Sequence, residues 1–183
     1  MTTLLQAIQS LNIPALINLI EEKIELNQPC SNGQLPLVIA ITQLFDSKNV
    51  DLDKKFQVIT ILFNASANIN LFTIDNNTLW HYLCCQGYLL AFKLAEMFLD
   101  SKKANNINVL NTDGKTPILV ALEHANFNFA KLLLKHGADA TIPDTLDNTT
   151  LHLAASNDDT NFIAELLKQK IDVILKISWE ENH

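Results

Sequence analysis

Residues 113–139 of this 183-residue chain, DGKTPILVALEHANFNFAKLLLKHGAD, recur with edits along its length. A chain made of short copies is confined to stacked architectures. Thr116 suits an N-cap, and Pro117 suits the first helical position, where a missing N–H costs nothing. Ile118, Ala121, Leu122 and Ala125 then fall at helical spacing, and Phe129, Ala130, Leu132, Leu133 and Leu134 form a second apolar set. Two short helices are implied, with Gly137 as a left-handed stop after the second. Helices this short do not persist alone, so each pair must bury its apolar face against a similar pair.

The slot held by Thr116 recurs at Thr2, Leu35, Thr78 and Thr149, at intervals of 33, 43, 38 and 33 residues. Five repeats follow, at roughly residues 2–34, 35–77, 78–115, 116–148 and 149–181. The longer intervals require insertions. Ten extra residues are expected between the two helices of the second repeat, around Asp46, Asp51 and Asp53. Five more are expected at the end of the third repeat's second helix, near Asp100, Ser101, Lys102 and Lys103. Glycine and proline test this register independently, because backbone geometry dictates their positions. Gly33 and Gly114 share a hairpin-turn slot, Gly87 falls between helices and Gly137 after one. Pro36 and Pro117 share the first-helix start, Pro29 and Pro143 share a slot six residues before the Thr position, and Pro14 opens the first repeat's second helix. Segments 67–78 and 105–116 align without a gap, as hairpin fingers should.

The unit T-P-I-L-V-A at 116–121, its relatives TLWHYL at 78–83 and TTLHLA at 149–154, and the period near 33 resemble the ankyrin repeat, a turn followed by T-P-L-H-x-A and two antiparallel helices. The resemblance covers nearly the whole chain. It implies an all-α ankyrin-repeat solenoid of about five helix-turn-helix repeats with short β-hairpin finger loops, forming a single domain over residues 1–183. It also implies a protein-interaction module, since such stacks bind proteins along the finger-lined face. Mapping the family's variable contact positions onto this chain selects Ile74, Asp75, Asn77, Thr112, Asp113, Lys115, Thr145, Leu146 and Asn148 on fingers. On the first helices it selects Thr42, Gln43, Cys85, Gln86, Glu123, His124, Ser156 and Asn157, and Tyr82 joins them as a binding candidate. The set mixes acidic, amide and small apolar groups, which suits a polar protein surface carrying a few lysines, with Ile74 and Leu146 as apolar anchors.

Composition narrows the partners. An apolar content of 48% is enough for an ordered core. A formal charge of −7 argues against nucleic acid, whose phosphates demand clustered cations. No 18-residue apolar run offers a membrane span, and the amino terminus lacks the basic region of a signal peptide. Cys30, Cys84 and Cys85 have no framework spacing, which fits a reducing, cytoplasmic compartment. All thirteen cationic residues are lysines, and Asn and Ile abound, as in AT-rich genomes. That composition around such a module resembles the ankyrin-bearing effectors that intracellular bacteria of the Legionella and Coxiella type deliver into host cytosol; an AT-rich protist or a poxvirus would produce the same bias. In such effectors the ankyrin part selects a host protein while another domain acts on it, so an alternative reading makes this chain the targeting part of an enzyme whose catalytic domain follows residue 183.

No catalytic, cofactor or metal site is expected within the chain. His81 and His152 occupy the His position of the T-P-L-H slot, where the family's imidazole hydrogen-bonds finger backbone, and a structural role outweighs a ligand role. Cys84 takes a slot normally held by a core Ala. Cys85 lies four residues after His81, so thiol and imidazole share a helix face, yet no orienting third group accompanies them. The acidic loop at Asp46, Asp51 and Asp53 lacks the glycine and terminal glutamate of a calcium loop. Asp51 or Asp53 is better read as the cap of a helix over 54–63. Trp80 takes a core Leu position.

The two ends differ. Gln6, Gln9, Asn12 and Asn18 leave the first repeat a polar exterior, whereas Leu151, Leu153, Phe162, Ile163, Leu166 and Leu167 keep the interior pattern in the fifth. Val173, Ile174, Leu175, Ile177 and Trp179 read as the start of another finger, with the next Thr slot at Asn182. An interior-type last repeat leaves an apolar side uncovered. The chain is therefore expected to be the amino-terminal part of a longer protein, or to be covered there by another copy or a partner.

Overall fold

The computed structural model describes residues 3–46, 51–71, 73–74, 77–86, 88–101, 107–157 and 159–168. The backbone divides into two compact units, Met1–Ile74 and Asp75–His183. The first holds α1 (Leu4–Gln9), α2 (Ile13–Glu21), α3 (Pro36–Phe45), α4 (Leu52–Asn64), a 3-10 turn (Ile69–Leu71) and the two-residue strand β1 (Thr73–Ile74). The second holds β2 (Asn77–Thr78), α5 (Leu79–Cys84), α6 (Tyr88–Asp100), α7 (Pro117–Glu123), α8 (Phe127–Lys135), α9 (Thr150–Ser156) and α10 (Thr160–Lys168). The architecture is all-α, built of antiparallel helix pairs.

Within the first unit α1 packs on α2 and α3, and α4 packs on α2 and α3. Within the second, α7 lies between α5 and α9 in a layer of first helices, while α6 and α8 form the layer of second helices. Within each unit, neighbouring pairs thus bury their apolar stripes against one another, which is how helices of six to thirteen residues become stable. Trp80, Phe98, Phe129 and Phe162 are fully buried, each worth roughly 1.5–3 kcal/mol of transfer free energy. The rings of Phe127 and Phe162 meet at 5.8 Å and 57°, a tilted pair between α8 and α10. The polar exterior of the first repeat is observed, with Gln6, Gln9, Asn12 and Asn18 exposed. In the last described pair Phe162 and Leu166 are buried, whereas Leu151, Leu153 and Ile163 are half-buried and Leu167 is 57% exposed. The apolar run at 173–179 lies outside the described residues.

Several local expectations are corrected. The first cap is Thr3, one residue later than the slot read at Thr2; its hydroxyl accepts the Gln6 N–H at 3.2 Å in a capping box. The ten-residue insertion is mostly helix: α3 and α4 have 10 and 13 residues, against 7 and 9 in α7 and α8, so seven of the ten extra residues lengthen helices and three lengthen the join. Asp51 caps α4, accepting the Lys54 N–H at 3.1 Å, but the helix starts at Leu52, earlier than the periodicity suggests. Lys55, on the α4 turn facing that join, is buried and its ammonium donates to the Asp46 carbonyl at 3.1 Å, closing the end of α3. Likewise α6 has 13 residues, so most of the third repeat's insertion also extends a helix; Lys102 and Lys103 lie outside the described residues, as does Gly87. Ala125, placed by spacing on the first helix, instead sits at φ 51° in the turn to α8. Thr116 holds the N-cap position of α7, but its side chain makes no capping bond and its buried Oγ1 has no hydrogen-bond partner among the described residues.

Candidate interaction surface

Three fingers are built by the same two backbone bonds. Cys30 N–H donates to Gln34 O at 2.8 Å and Gly33 N–H to Cys30 O at 2.8 Å; Asn111 and Lys115 pair at 3.0 Å with Gly114 returning to Asn111 at 3.0 Å; Asp144 and Asn148 pair at 2.9 Å with Asp147 returning to Asp144 at 3.1 Å. The residue at the bend is left-handed in each, at φ 79° for Gly33, 70° for Gly114 and 61° for Asp147. Asp tolerates that region where most side chains do not. The Asn111 Oδ1 accepts the N–H groups of Asp113 (3.1 Å) and Lys115 (3.0 Å), and Asp144 Oδ1 those of Leu146 (2.8 Å) and Asn148 (2.9 Å). These Asx-type turns satisfy the finger N–H groups internally and hold the tips rigid. Burial raises the Asp144 carboxyl pKa, but the Asn148 and Leu146 hydrogen bonds and the Lys115 charge outweigh it and hold the group below its ordinary value.

The fingers are tied to the helices behind them. His81 is buried, accepts the Thr78 N–H at Nδ1 (3.2 Å), and donates Nε2–H to the Lys115 carbonyl (2.9 Å). A backbone N–H only donates and a carbonyl only accepts, so the ring is the neutral Nε2–H tautomer and the Thr78 hydroxyl, 2.8 Å away, donates to Nδ1. Burial depresses its pKa, partly offset by the Lys115 carbonyl. His152 repeats the local half, accepting the Thr149 N–H at 3.1 Å. The structural reading of both imidazoles holds.

Cys84 is buried and donates to the Pro117 carbonyl at 3.1 Å, and burial pushes its thiol pKa well up. Cys85 is exposed, but its thiol points to the His81 backbone carbonyl at 3.4 Å, while the imidazole is engaged on both nitrogens. Partial burial and then the Glu123 charge raise the Cys85 pKa, the opposite of what a nucleophile needs. Among the described residues no group of three or more His, Cys, Asp or Glu is placed to hold a metal ion, and no helix is long and apolar enough to cross a membrane.

The predicted contact residues divide by environment. Thr112, Asp113, Thr145 and Leu146 are exposed tips, with Leu146 78% exposed. The fingers at 111–115 and 144–148 touch, since a Cβ on Gly114 would collide with Thr145 Cγ2. Glu123, His124, Ser156 and Asn157 are exposed where α7 and α9 end, and Gln86 and Tyr82 are half-buried on α5 and just beyond it. Burial raises the Tyr82 phenol pKa. Several predicted residues are committed within the protein. Lys115 pairs with Glu123 at 2.6 Å, and that bond holds its ammonium above the ordinary value; Asn148 Nδ2 donates to Asp144 Oδ2 at 3.1 Å; Asn77 accepts from Asn111 Nδ2 at 2.9 Å. Asn157 Nδ2 reaches the Leu122 carbonyl at 3.3 Å and Leu153 O at 2.8 Å. Ile74 is half-buried in the first unit, as are Thr42, which donates to the α3 backbone, and Gln43, which donates to Gln9 O at 3.0 Å. Asp75 lies outside the described residues.

Sequence reasoning took the abundance of asparagine as a mark of origin alone. The structure gives it a role: Asn126 caps α8 through Oδ1 and donates to the Cys84 carbonyl of α5 at 3.2 Å. Asn27 grips Ser66 O at 3.4 Å and Asn68 N–H at 2.8 Å, and Asn108 grips Gly137 O at 3.4 Å and Asp139 N–H at 2.8 Å. An amide side chain offers a donor and an acceptor on separate terminal atoms, which suits such a bridge. The signal available in the sequence was register, since Asn27 and Asn108 each stand eight residues before a first-helix slot, at Leu35 and Thr116.

The profile of the family described as "Ankyrin repeats (3 copies)" matches residues 50–144 and 80–177. Alpha-latrotoxin-Lg1a of Latrodectus geometricus is 26% identical over 154 residues, 80% of this chain and 10% of that protein. A putative ankyrin repeat protein of Rickettsia bellii is 46% identical over 55 residues, covering 30% of this chain and 32% of that one. Phosphocholine transferase AnkX of Legionella pneumophila is 25% identical over 127 residues, 69% of this chain and 13% of that protein. The chain thus spans about a tenth of the length of the first of these relatives. Because the family profile covers more than half of the chain, and the helix pairs and fingers it describes are those observed, the chain belongs to the ankyrin-repeat family.

Proposed function

We propose that this chain binds a partner protein through the tips of its fingers at 111–115 and 144–148 and the adjoining ends of α5, α7 and α9. Ankyrin repeats are in general protein-interaction modules, and the observation that supports this surface is its division of labour. Most of the finger N–H groups are bonded internally, while Leu146 stands 78% exposed and Asp113, Thr112 and Thr145 are exposed with it. Asp113, Asp147 and Glu123 outnumber Lys115 there, and Lys115 is neutralised by Glu123, so the favoured partner surface is polar, lysine-bearing and dimpled for one aliphatic side chain. The bacterial relatives favour a host protein as that partner, met in the host cytosol.

The test is a pull-down from eukaryotic cytosol with the wild-type chain and with a Leu146→Asp/Asp113→Lys variant. Because both residues are exposed, the variant is expected to keep its urea midpoint within the roughly 0.5 kcal/mol typical of surface changes while losing the captured protein. Equal capture by both chains would move the site off the fingers. A second reading, the targeting part of a longer enzyme, is supported by the similarity to a phosphocholine transferase of which the match spans 13%. Reading the gene past residue 183 tests it: a stop codon there removes that version, and a further domain supports it.

A further inference from the structure

We propose that the groove between α6 and α8 is a second docking site, separate from the fingers, which takes a short amphipathic peptide carrying a large apolar side chain next to a carboxylate. The groove has a volume of about 430 Å³, within the range that seats a side chain with its flanking peptide. Its apolar part is Phe92 and Leu132. Its α8 wall carries Asn128, Lys131 and Lys135, spaced so that they share one helix face, and its α6 wall carries Glu96 one turn beyond Phe92.

Charge decides the occupant. Lys131 is drawn toward Glu165 of α10, 4.0 Å away, whereas Lys135 makes no ion pair among the described residues, so one cation remains available beside the apolar floor. Glu96 is likewise exposed and without an ion pair among the described residues, and would receive an N–H or a cation. Phosphate-rich partners are disfavoured because Glu96 and Glu165 line the same groove. Leu89, 71% exposed one turn before Phe92 on α6, extends the apolar strip beyond the groove, where nothing in the fold uses it. None of these residues belongs to the finger surface, so the two sites are independent.

The probe is a phage-displayed library of random 12-residue peptides panned on the full chain. Survivors are then measured against two variants: Lys135→Glu/Glu96→Lys, which inverts the groove, and Leu146→Asp/Asp113→Lys, which disables the fingers. Both swapped groove residues are exposed, so folding is retained, and urea midpoints check it. The expected result is a family of peptides with an aromatic or large aliphatic residue within one helical turn of Asp or Glu. Their affinity should fall about tenfold or more on the groove swap, stay unchanged on the finger variant, and return when the peptide's acid is changed to Lys. Failure to recover such a family, or a family indifferent to the groove swap, would overturn the proposal. Peptides lost only on the finger variant would do so while supporting the finger reading.

Discussion

Asn126 carries two bonds whose removal can be separated. It is 3% exposed, its Oδ1 accepts the Phe129 N–H at 3.3 Å as the α8 cap, and its Nδ2 donates to Cys84 O at 3.2 Å. Asn126→Ala removes a cap worth about 1 kcal/mol. It also leaves the Cys84 carbonyl short of a donor in a buried place, about 1–3 kcal/mol. The expected loss is therefore about 2–4 kcal/mol. Asn126→Asp keeps the cap, and its charge suits a helix amino terminus. But it loses the donor and sets a carboxylate oxygen against a carbonyl, so it should cost nearly as much as Ala. Asn157→Ala cuts the corresponding bond to Leu122 O at an exposed position, where water replaces the donor, so the loss should stay below about 1 kcal/mol. Urea unfolding followed by circular dichroism gives the differences, and hydrogen exchange at α5 and α8 shows whether the opening is local. An Asn126→Asp variant as stable as wild type would refute the claim that the bridge between repeats, and not the cap, carries most of the energy.

Gly114→Ala should destabilise more than Gly33→Ala: both pay for a left-handed φ, about 1 kcal/mol, but only at 114 does the new methyl meet Thr145 Cγ2, so adding Thr145→Ser to Gly114→Ala should abolish the difference in urea midpoint. Thr150→Pro should raise stability by about 0.5–1 kcal/mol in the same assay, because Thr150 opens α9 in the slot of Pro117, its buried Oγ1 has no partner among the described residues, and Thr149 is already extended at ψ 172°. His81 has a folded pKa below its unfolded value, so its contribution is complete above about pH 6.5 and is lost as pH falls through the folded pKa; wild type should weaken over that window more steeply than His81→Gln, measured as urea midpoint against pH. Cys84 should resist alkylation in the folded chain while Cys85 reacts slowly at neutral pH, the raised pKa keeping little thiolate; rapid selective labelling of Cys85 would contradict the engaged imidazole.

What could be read from residues was whatever depends on local periodicity and on backbone-restricted residue types. The Thr slots at 78, 116 and 149, Pro36 and Pro117, the Gly33 and Gly114 bends, and the buried Trp80, His81 and Cys84 all follow from spacing, because in a repeat each residue's environment is set by its position in the unit. What failed was local reasoning where neighbours decide. Among the described residues five that are not glycine, Leu11, Lys23, Ser66, Ala125 and Asp147, adopt positive φ, alongside Gly33, Gly114 and Gly137. Asp tolerates that conformation, but at Leu11, Lys23, Ser66 and Ala125 it costs about 1–2 kcal/mol each, and no side-chain signal marks it. The insertions also went into helices, since extra turns on α3, α4 and α6 extend an existing stripe while a longer loop would have added only entropy. The interaction surface was legible only as a set of slots. That Lys115, Asn148 and Asn77 are taken up by Glu123, Asp144 and Asn111, leaving the side chains of Leu146 and Asp113 at the surface, depends on which groups the stacking brings within hydrogen-bond reach of one another, and that distance is a property of the tertiary structure alone.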